Sequence, residues 1–333
     1  MFLTVRKIAL CVLAITFVFQ SGCDPVGPNI GSGDGFGNAG GYTQTNSGNR
    51  IYGPQGVPRI AMGSFNIKSF GMTKMSNPNV VSILTDIVRR FDIIAIQELR
   101  DKDQGVIPEF LRYINANGAN YAAAVGPRQG YTSGGRETTY FEQTVFIYNA
   151  DLVELIGPTY AAYDRHEIMY RPPFIGHFRC LGVPPEQAFT FVLMNVHVAP
   201  KRAHEEFEAL QEIIGGVYAN HQGEDDFILL GDLNDEPDKY QRYQWMRNQY
   251  PALPSEWKTN TVQTEAYDNI VFDAGYTAEF TNQSGVLNLM DEYRLTLPQA
   301  QLVSDHMPVW AVFSVLEAPA ANITQGNPEA VIR

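Results

Sequence analysis

Asp305 and His306 stand with Pro308 directly in front of an apolar run, Val309 to Phe313. A run of that composition reads as a buried strand. A titratable pair at its mouth is costly to bury unless something uses it. Similar groups recur at the ends of other apolar runs. "GSFNI" carries Asn66, "IIAIQE" leads to Gln97 and Glu98, and "VLMNVHVAP" places His197 after an apolar stretch. "FILLGDLNDEP" sets Asp232 and Asn234 two apart, so both side chains leave one face of an extended segment. "AYDNIV" supplies Tyr267 and Asp268. Taken singly, each has a plainer explanation: Asn66 caps a turn, Glu98 pairs with Arg100, "GDLNDEP" is an Asp-rich turn and His197 is a satisfied core histidine. Taken together those explanations are strained. Carboxylates, amides and imidazoles at so many strand ends suit oxygen ligands around a hard divalent cation, with acid and base groups beside it.

The elements that must position these groups follow from periodicity. Strands are expected over 59–67, 91–99, 138–149, 173–181, 189–198, 226–234, 267–273 and 308–315, and amphipathic helices over 78–91, 107–118 and 201–220. The mixed order, with a hairpin-like stretch from 138 to 181, predicts an α/β sandwich of two packed mixed β-sheets flanked by helices. In such sheets ligands gather beside strand ends.

The chain of 333 residues, 44% hydrophobic, is long enough for one large core, and one domain over 57–316 is expected. A net charge of −12 argues against a broad basic surface for nucleic acid, while leaving room for a small metal-bridged site. Arg6 and Lys7 precede an apolar run, Ile8 to Phe19, that is short for a membrane span and suited to a signal peptide over 1–23. "QSGC" resembles a bacterial lipobox ending on Cys23, although Gln20 departs from its usual aliphatic residue. The expectation is a lipoprotein anchored in the cell envelope, with a periplasmic or secreted protein as the alternative, and either implies export. Residues 24–56, rich in Gly, Asn, Ser and Pro, read as a flexible tether, and 317–333 as a loose tail. Cys180 alone lies in the body, so no internal disulfide is expected.

The ordered motifs "FNI", "IIAIQE", "YFEQTVFIYN", "RPPFIGHF", "NVHVAP", "GDLND", "AYDNIV" and "SDHMPV" resemble the endonuclease/exonuclease/phosphatase superfamily, and within it deoxyribonuclease I. The resemblance spans roughly 57–316 and implies a four-layered α/β sandwich. It also implies Glu98, Asn66, Asp305 and Asp232 around a divalent metal, magnesium or manganese with calcium as a possible second ion. Asp232 and Asn234 would face the scissile phosphate and the attacking water, and Asp268 would orient His306. The deoxyribonuclease I-like motifs add Glu142, matched in "Y-x-E-Q" after Tyr140, as partner of His197, and a phosphate-gripping Arg171 in "R-x-P-F". Tyr267, Asn234 and Tyr140 complete the phosphate-facing set, and Tyr140 with Arg136 could touch a groove of DNA. The implied reaction is hydrolysis of DNA with little sequence preference to 5′-phosphate products, by a monomer, with His306 as base and His197 as acid. Two alternatives stand beside it: a phosphodiesterase of the same fold acting on a lipid head group such as sphingomyelin, and a non-catalytic binding module. Glu142 with Arg171 speaks against the first, and the intact set of acidic and imidazole residues against the second.

Overall fold

A computed structural model describes residues 58–130, 132–133, 136–137 and 141–318, the two dipeptides by backbone only. The signal segment, the tether, Tyr140, the Arg136 side chain and the tail beyond 318 lie outside the described residues. In chain order, β1 (Arg59–Phe70) leads through α1 (Met72–Met75) and α2 (Pro78–Arg89) to β2 (Ile93–Leu99). Then come α3 (Val106–Asn115), β3 (Tyr121–Val125), the short β4 (Thr132–Ser133) and β5 (Arg136–Glu137), and β6 (Gln143–Asn149). β7 (Val153–Leu155), β8 (Tyr160–Ala161), β9 (Phe174–Cys180) and β10 (Thr190–His197) follow, with α4 (Ala203–Asn220) leading to β11 (Phe227–Asp232). The chain continues with β12 (Tyr250–Pro251), β13 (Asp268–Phe272), β14 (Phe280–Val286), α5 (Leu289–Tyr293), α6 (Leu297–Val303) and β15 (Val309–Ser314).

The strands form two large sheets. One runs β14-β15-β1-β2-β6-β3 and the other β12-β13-β11-β10-β9-β7, with β8 also on β9. Each sheet has one parallel pair, β1 with β2 and β10 with β11, and antiparallel neighbours elsewhere. A parallel pair needs a long crossover, which α2 and α4 supply. The predicted two-sheet sandwich flanked by helices is therefore the observed fold.

Period-two alternation explains the layers. Along β10, Phe191 and Leu193 join the cluster between the sheets, while Val192, Met194 and Val196 pack with Phe207, Leu210 and Ile214 of α4. On the other sheet Met62 and Ala95 face inward, and Ala61, Phe65, Ile94 and Ile96 pack outward with Val81, Leu84 and Phe110 of α2 and α3. Asn77 starts α2 by accepting hydrogen bonds from the amides of Asn79 and Val80, with Pro78 at the first helical position.

The hairpin-like stretch expected from 138 to 181 forms only in its later part, where β7 and β8 pair antiparallel with β9, and β6 stands apart. β6 pairs with β2 and β3, whereas β9 pairs with β10, β7 and β8 in the opposite sheet. The two strands meet face to face instead: Phe146 stacks on Phe174 at 5.3 Å and meets Phe178 edge-on at 5.4 Å. Burying three aromatic rings between the sheets competes with edge pairing and wins. β14 went unforeseen because "FTNQSGV" is an edge strand with little apolar alternation. Among the described residues no helix is long and apolar enough to cross a membrane.

Candidate functional site

The same inward faces that build the core turn polar at one end of the sandwich. β1 proceeds from Met62 to Ser64 and Asn66, β2 from Ala95 to Gln97, and β10 from Leu193 to Asn195 and His197. β11 passes from Leu230 to Asp232, while β6 and β13, running the other way, place Thr144 beyond Phe146, with Glu142 just outside the strand, and Asp268 beyond Ile270. Strand alternation therefore carries each group to one buried mouth between the sheets.

Two imidazole–carboxylate pairs span that mouth. His197 Nδ1 lies 2.6 Å from Glu142 Oε1, and His306 Nδ1 lies 2.8 Å from Asp268 Oδ2. The Nε2 atoms of His197 and His306 approach the same oxygen, Asp232 Oδ2, at 3.7 Å and 3.6 Å. Asn66 Nδ2 donates to that oxygen at 3.0 Å and reaches Glu98 Oε1 at 3.5 Å. Asp232 thus sits between the pairs.

Local backbone makes this possible. Gly231, at φ +151°, lies so close to β10 that a Cβ would stand 1.9 Å from the Val196 carbonyl oxygen, so the residue before Asp232 must be glycine. Glu98 (φ 61°) and Asn234 (φ 49°) adopt left-handed conformations. At Glu98 the pairing of β2 with both neighbours shifts register, a bulge that redirects its side chain. Strained non-glycine residues persist where surrounding contacts hold them. Glu98 Oε2 accepts from the Ser69 amide and from Arg100, and Asn234 Nδ2 donates to the Val198 carbonyl.

Arg171 Nε donates to the His197 carbonyl at 3.0 Å and lies 3.3 Å from Glu142 Oε1, while its Nη2 is buried without a hydrogen-bond partner. Gln129 exchanges two backbone hydrogen bonds with Glu142 and donates from Nε2 to the Pro172 carbonyl, tying the Glu142 and Arg171 segments together. Tyr267 is half-buried, and burial, helped by Glu265, pushes its phenol up to about 12, so it remains a neutral donor. Asp305 is the outlier: its carboxylate pairs with Lys68 Nζ at 2.5 Å and stands 4.0 Å from His306 Nε2.

Burial opposes charge on His306, but Asp268, Asp232 and Asp305 outweigh it and push the imidazole up to about 10. His197 is likewise raised, with Glu142 overcoming burial and Arg171. Burial alone would raise the Glu142 carboxyl, yet His197 and Arg171 hold it below the ordinary value.

The donor set fits a hard cation. Side-chain atoms of Asp232, Asp268 and His306 lie within 4.8 Å of one another, and Asn66 Oδ1 and Asp268 Oδ1 are buried without hydrogen-bond partners. Of the four metal-binding residues expected, Asn66 meets both Glu98 and Asp232, whereas Asp305 stands beside Lys68.

Sequence reasoning missed the residues that hold the pairs. Thr259 Oγ1 donates to Asp268 Oδ2 at 2.8 Å, and its segment bridges to the His306 loop through Met307 and Thr261. Ser304 Oγ donates to the Asn66 carbonyl at 2.7 Å and accepts the His306 amide, fixing that loop on β1. Asn195 ties Gln97 to the carbonyls of Ile96 and Val145 across the sheets. Asn195 was legible, two residues before His197 on the buried face, while Thr259 and Ser304 carry no local signal.

The model of the Endonuclease/Exonuclease/phosphatase family matches residues 63–306. Mouse deoxyribonuclease-1-like 2 is 28% identical over 271 residues, covering 78% of this chain and 94% of that protein. Rabbit deoxyribonuclease-1 is 30% identical over 268 residues, covering 75% of this chain and 91% of its own length. The human Nocturnin catalytic domain, solved with bound sulfate, shares the fold with a TM-score of 0.55 at 15% identity, covering 77% of this chain and 93% of that one. With the family match extending over most of the sandwich and across the whole polar mouth, this chain belongs to the endonuclease/exonuclease/phosphatase family.

Proposed function

We propose that the protein is an exported, metal-dependent deoxyribonuclease I-like endonuclease that hydrolyses DNA to 5′-phosphate products. The observation that carries this reading is the pair of imidazole–carboxylate dyads whose free Nε2 atoms meet at Asp232 Oδ2. One dyad suffices to activate a nucleophile, whereas two facing one spot suit an in-line displacement that needs a base on one side and an acid on the other. Export rests on the N-terminal segment, with lipidation at Cys23 as one route.

In this reading the unpartnered Arg171 Nη2 and the neutral Tyr267 phenol receive non-bridging phosphate oxygens, with Asn234 beside them. Glu98, Asn66 and Asp232 hold a divalent cation, magnesium or manganese, which when bound offsets charge on the phosphate. His306, fixed through Nδ1 by Asp268, takes a proton from water at Nε2, and His197, fixed by Glu142, delivers one to the leaving 3′ oxygen. The carboxylates that raise both imidazoles favour the donor role more than the acceptor role.

The test is nicking of supercoiled plasmid by the full chain with magnesium or manganese, beside an EDTA control and His197→Ala. Metal-dependent nicking abolished in both controls supports the reading. A folded protein inert on DNA refutes it, and activity on sphingomyelin would then identify the lipid alternative. The order of the two imidazoles is read from pH profiles: loss of the rising limb in His306→Ala supports it as base, and loss of the falling limb reverses the order.

A further inference from the structure

At the opposite end of the sandwich from the dyads, the carboxylates of Asp226, Glu279 and Glu317 converge with no imidazole among them. Asp226 immediately precedes β11, Glu279 immediately precedes β14 and Glu317 follows β15. One carboxylate oxygen from each lies within 4.8 Å of the others, and Asp226 is likewise grouped with Glu224 and Asp225. Asp226 is 1% exposed and Glu279 3% exposed.

The hydrogen bonds leave a defined set of oxygens. Glu224 is engaged, accepting the amides of Asp225 and Asp226 at one oxygen and meeting His177 Nε2 at 2.9 Å with the other. Glu279 Oε1 accepts the Ala318 amide and Glu317 Oε2 accepts the Thr190 amide, so the backbone fixes both side chains. Neither oxygen of Asp226 has a hydrogen-bond partner, nor has Glu279 Oε2. Thr277, 2% exposed, turns its hydroxyl toward Asp226. Three carboxylate oxygens of like charge, desolvated beside a single hydroxyl, are unfavourable unless something positive meets them.

We propose that Asp226, Glu279, Glu317 and Thr277 form a calcium site that fastens the two sheets together at the end remote from the dyads. Asp226 precedes a strand of one sheet and Glu279 and Glu317 flank strands of the other, so one ion would bridge the two sheets beside the backbone hydrogen bonds of Phe189 to Val315 and of Glu317 to Gln187. Two oxygens of Asp226, one each of Glu279 and Thr277, and the second oxygen of Glu317 give five donors. Calcium accepts six to eight oxygens in flexible geometry, and the exposed Glu317 side leaves room for water. Magnesium prefers to keep several waters, which suits a site this buried less well.

The experiment is thermal unfolding of the full chain in EDTA or calcium chloride, with bound calcium counted by equilibrium dialysis. Wild type and Glu98→Gln should both gain melting temperature with calcium. Asp226→Asn and Glu279→Gln should lose that gain and bind one calcium fewer per chain. If either buried variant fails to fold, Glu317→Gln, changed at an exposed position, should bind calcium at least tenfold more weakly. A gain lost in Glu98→Gln and kept in Asp226→Asn would place calcium at the dyads and overturn the proposal. No calcium response in wild type, with stability governed by pH alone, would overturn it as well.

Discussion

β11 connects two unlike acidic environments. It starts after Asp226 and ends, about 20 Å further along, on Asp232. Both side chains are buried, at 1% and 2% exposure. Around Asp232 each carboxylate meets a donor: Asn66 for Asp232, His197 and Arg171 for Glu142, His306 and Thr259 for Asp268. Around Asp226 the facing charges are Glu279, Glu317 and Glu224, all of the same sign. The difference teaches that burying acids is not by itself a sign of catalysis. Acids interleaved with imidazoles make proton-transfer pairs, whereas acids facing only one another make a cation site or share protons.

The sharpest way to break this contrast is at the dyads. His197→Ala or His306→Ala should each lower turnover at least about a hundredfold while leaving the melting temperature close to wild type, measured by plasmid nicking and thermal unfolding. A near-wild-type rate in either variant would remove the proton-transfer half of the comparison. Arg171→Ala should cost about tenfold to a hundredfold in turnover through loss of an anion-facing donor, read from steady-state kinetics. Gly231→Ala should destabilise by at least about 1 kcal/mol, since φ +151° and the Val196 carbonyl both exclude a Cβ, and denaturant titration would show it.

The smallest effect concerns pH. Burial first, then Glu279, pushes the Asp226 carboxyl up to about 9 from an ordinary 3.8, so the folded protein keeps a proton that the unfolded chain has released. Its contribution to stability is complete below 3.8 and is lost as pH rises through about 9. Calcium-free protein should therefore melt at progressively lower temperature from mildly acidic to alkaline pH. Asp226→Asn should make that slope shallower. An unchanged slope would mean that other raised groups, such as Glu317 at about 7 or His306 at about 10, set it alone.

Much of the site was legible because period two in a strand states which face a residue occupies. Asn66, His197, Asp232 and Asp268 could be placed at strand ends by counting from apolar neighbours on the same face. Glu98 was legible as a residue and not as a geometry, since the bulge that turns it inward depends on the register of β1 and β6. The hairpin-like stretch expected from 138 to 181 holds for β7, β8 and β9 but not for β6, for a related reason. Alternation in β6 and β9 describes two half-buried strands equally well whether they pair edge to edge or stack face to face, and the Phe146, Phe174 and Phe178 contacts chose the second.

The amino-acid sequence by itself determined the two-sheet class, the helices that cover it and most of the groups at its polar mouth, because those follow from local periodicity and motif order. Only the tertiary structure decided the partnerships: Glu142 with His197 across 55 residues, Ser304 with Asn66 across 238, and Asp226 with Glu279 and Glu317 at the far end. Periodicity fixes the direction of a side chain along its own strand. Which group from the other sheet it meets is set by strand order, register and the packing of the faces between them, none of which is a local property of the chain.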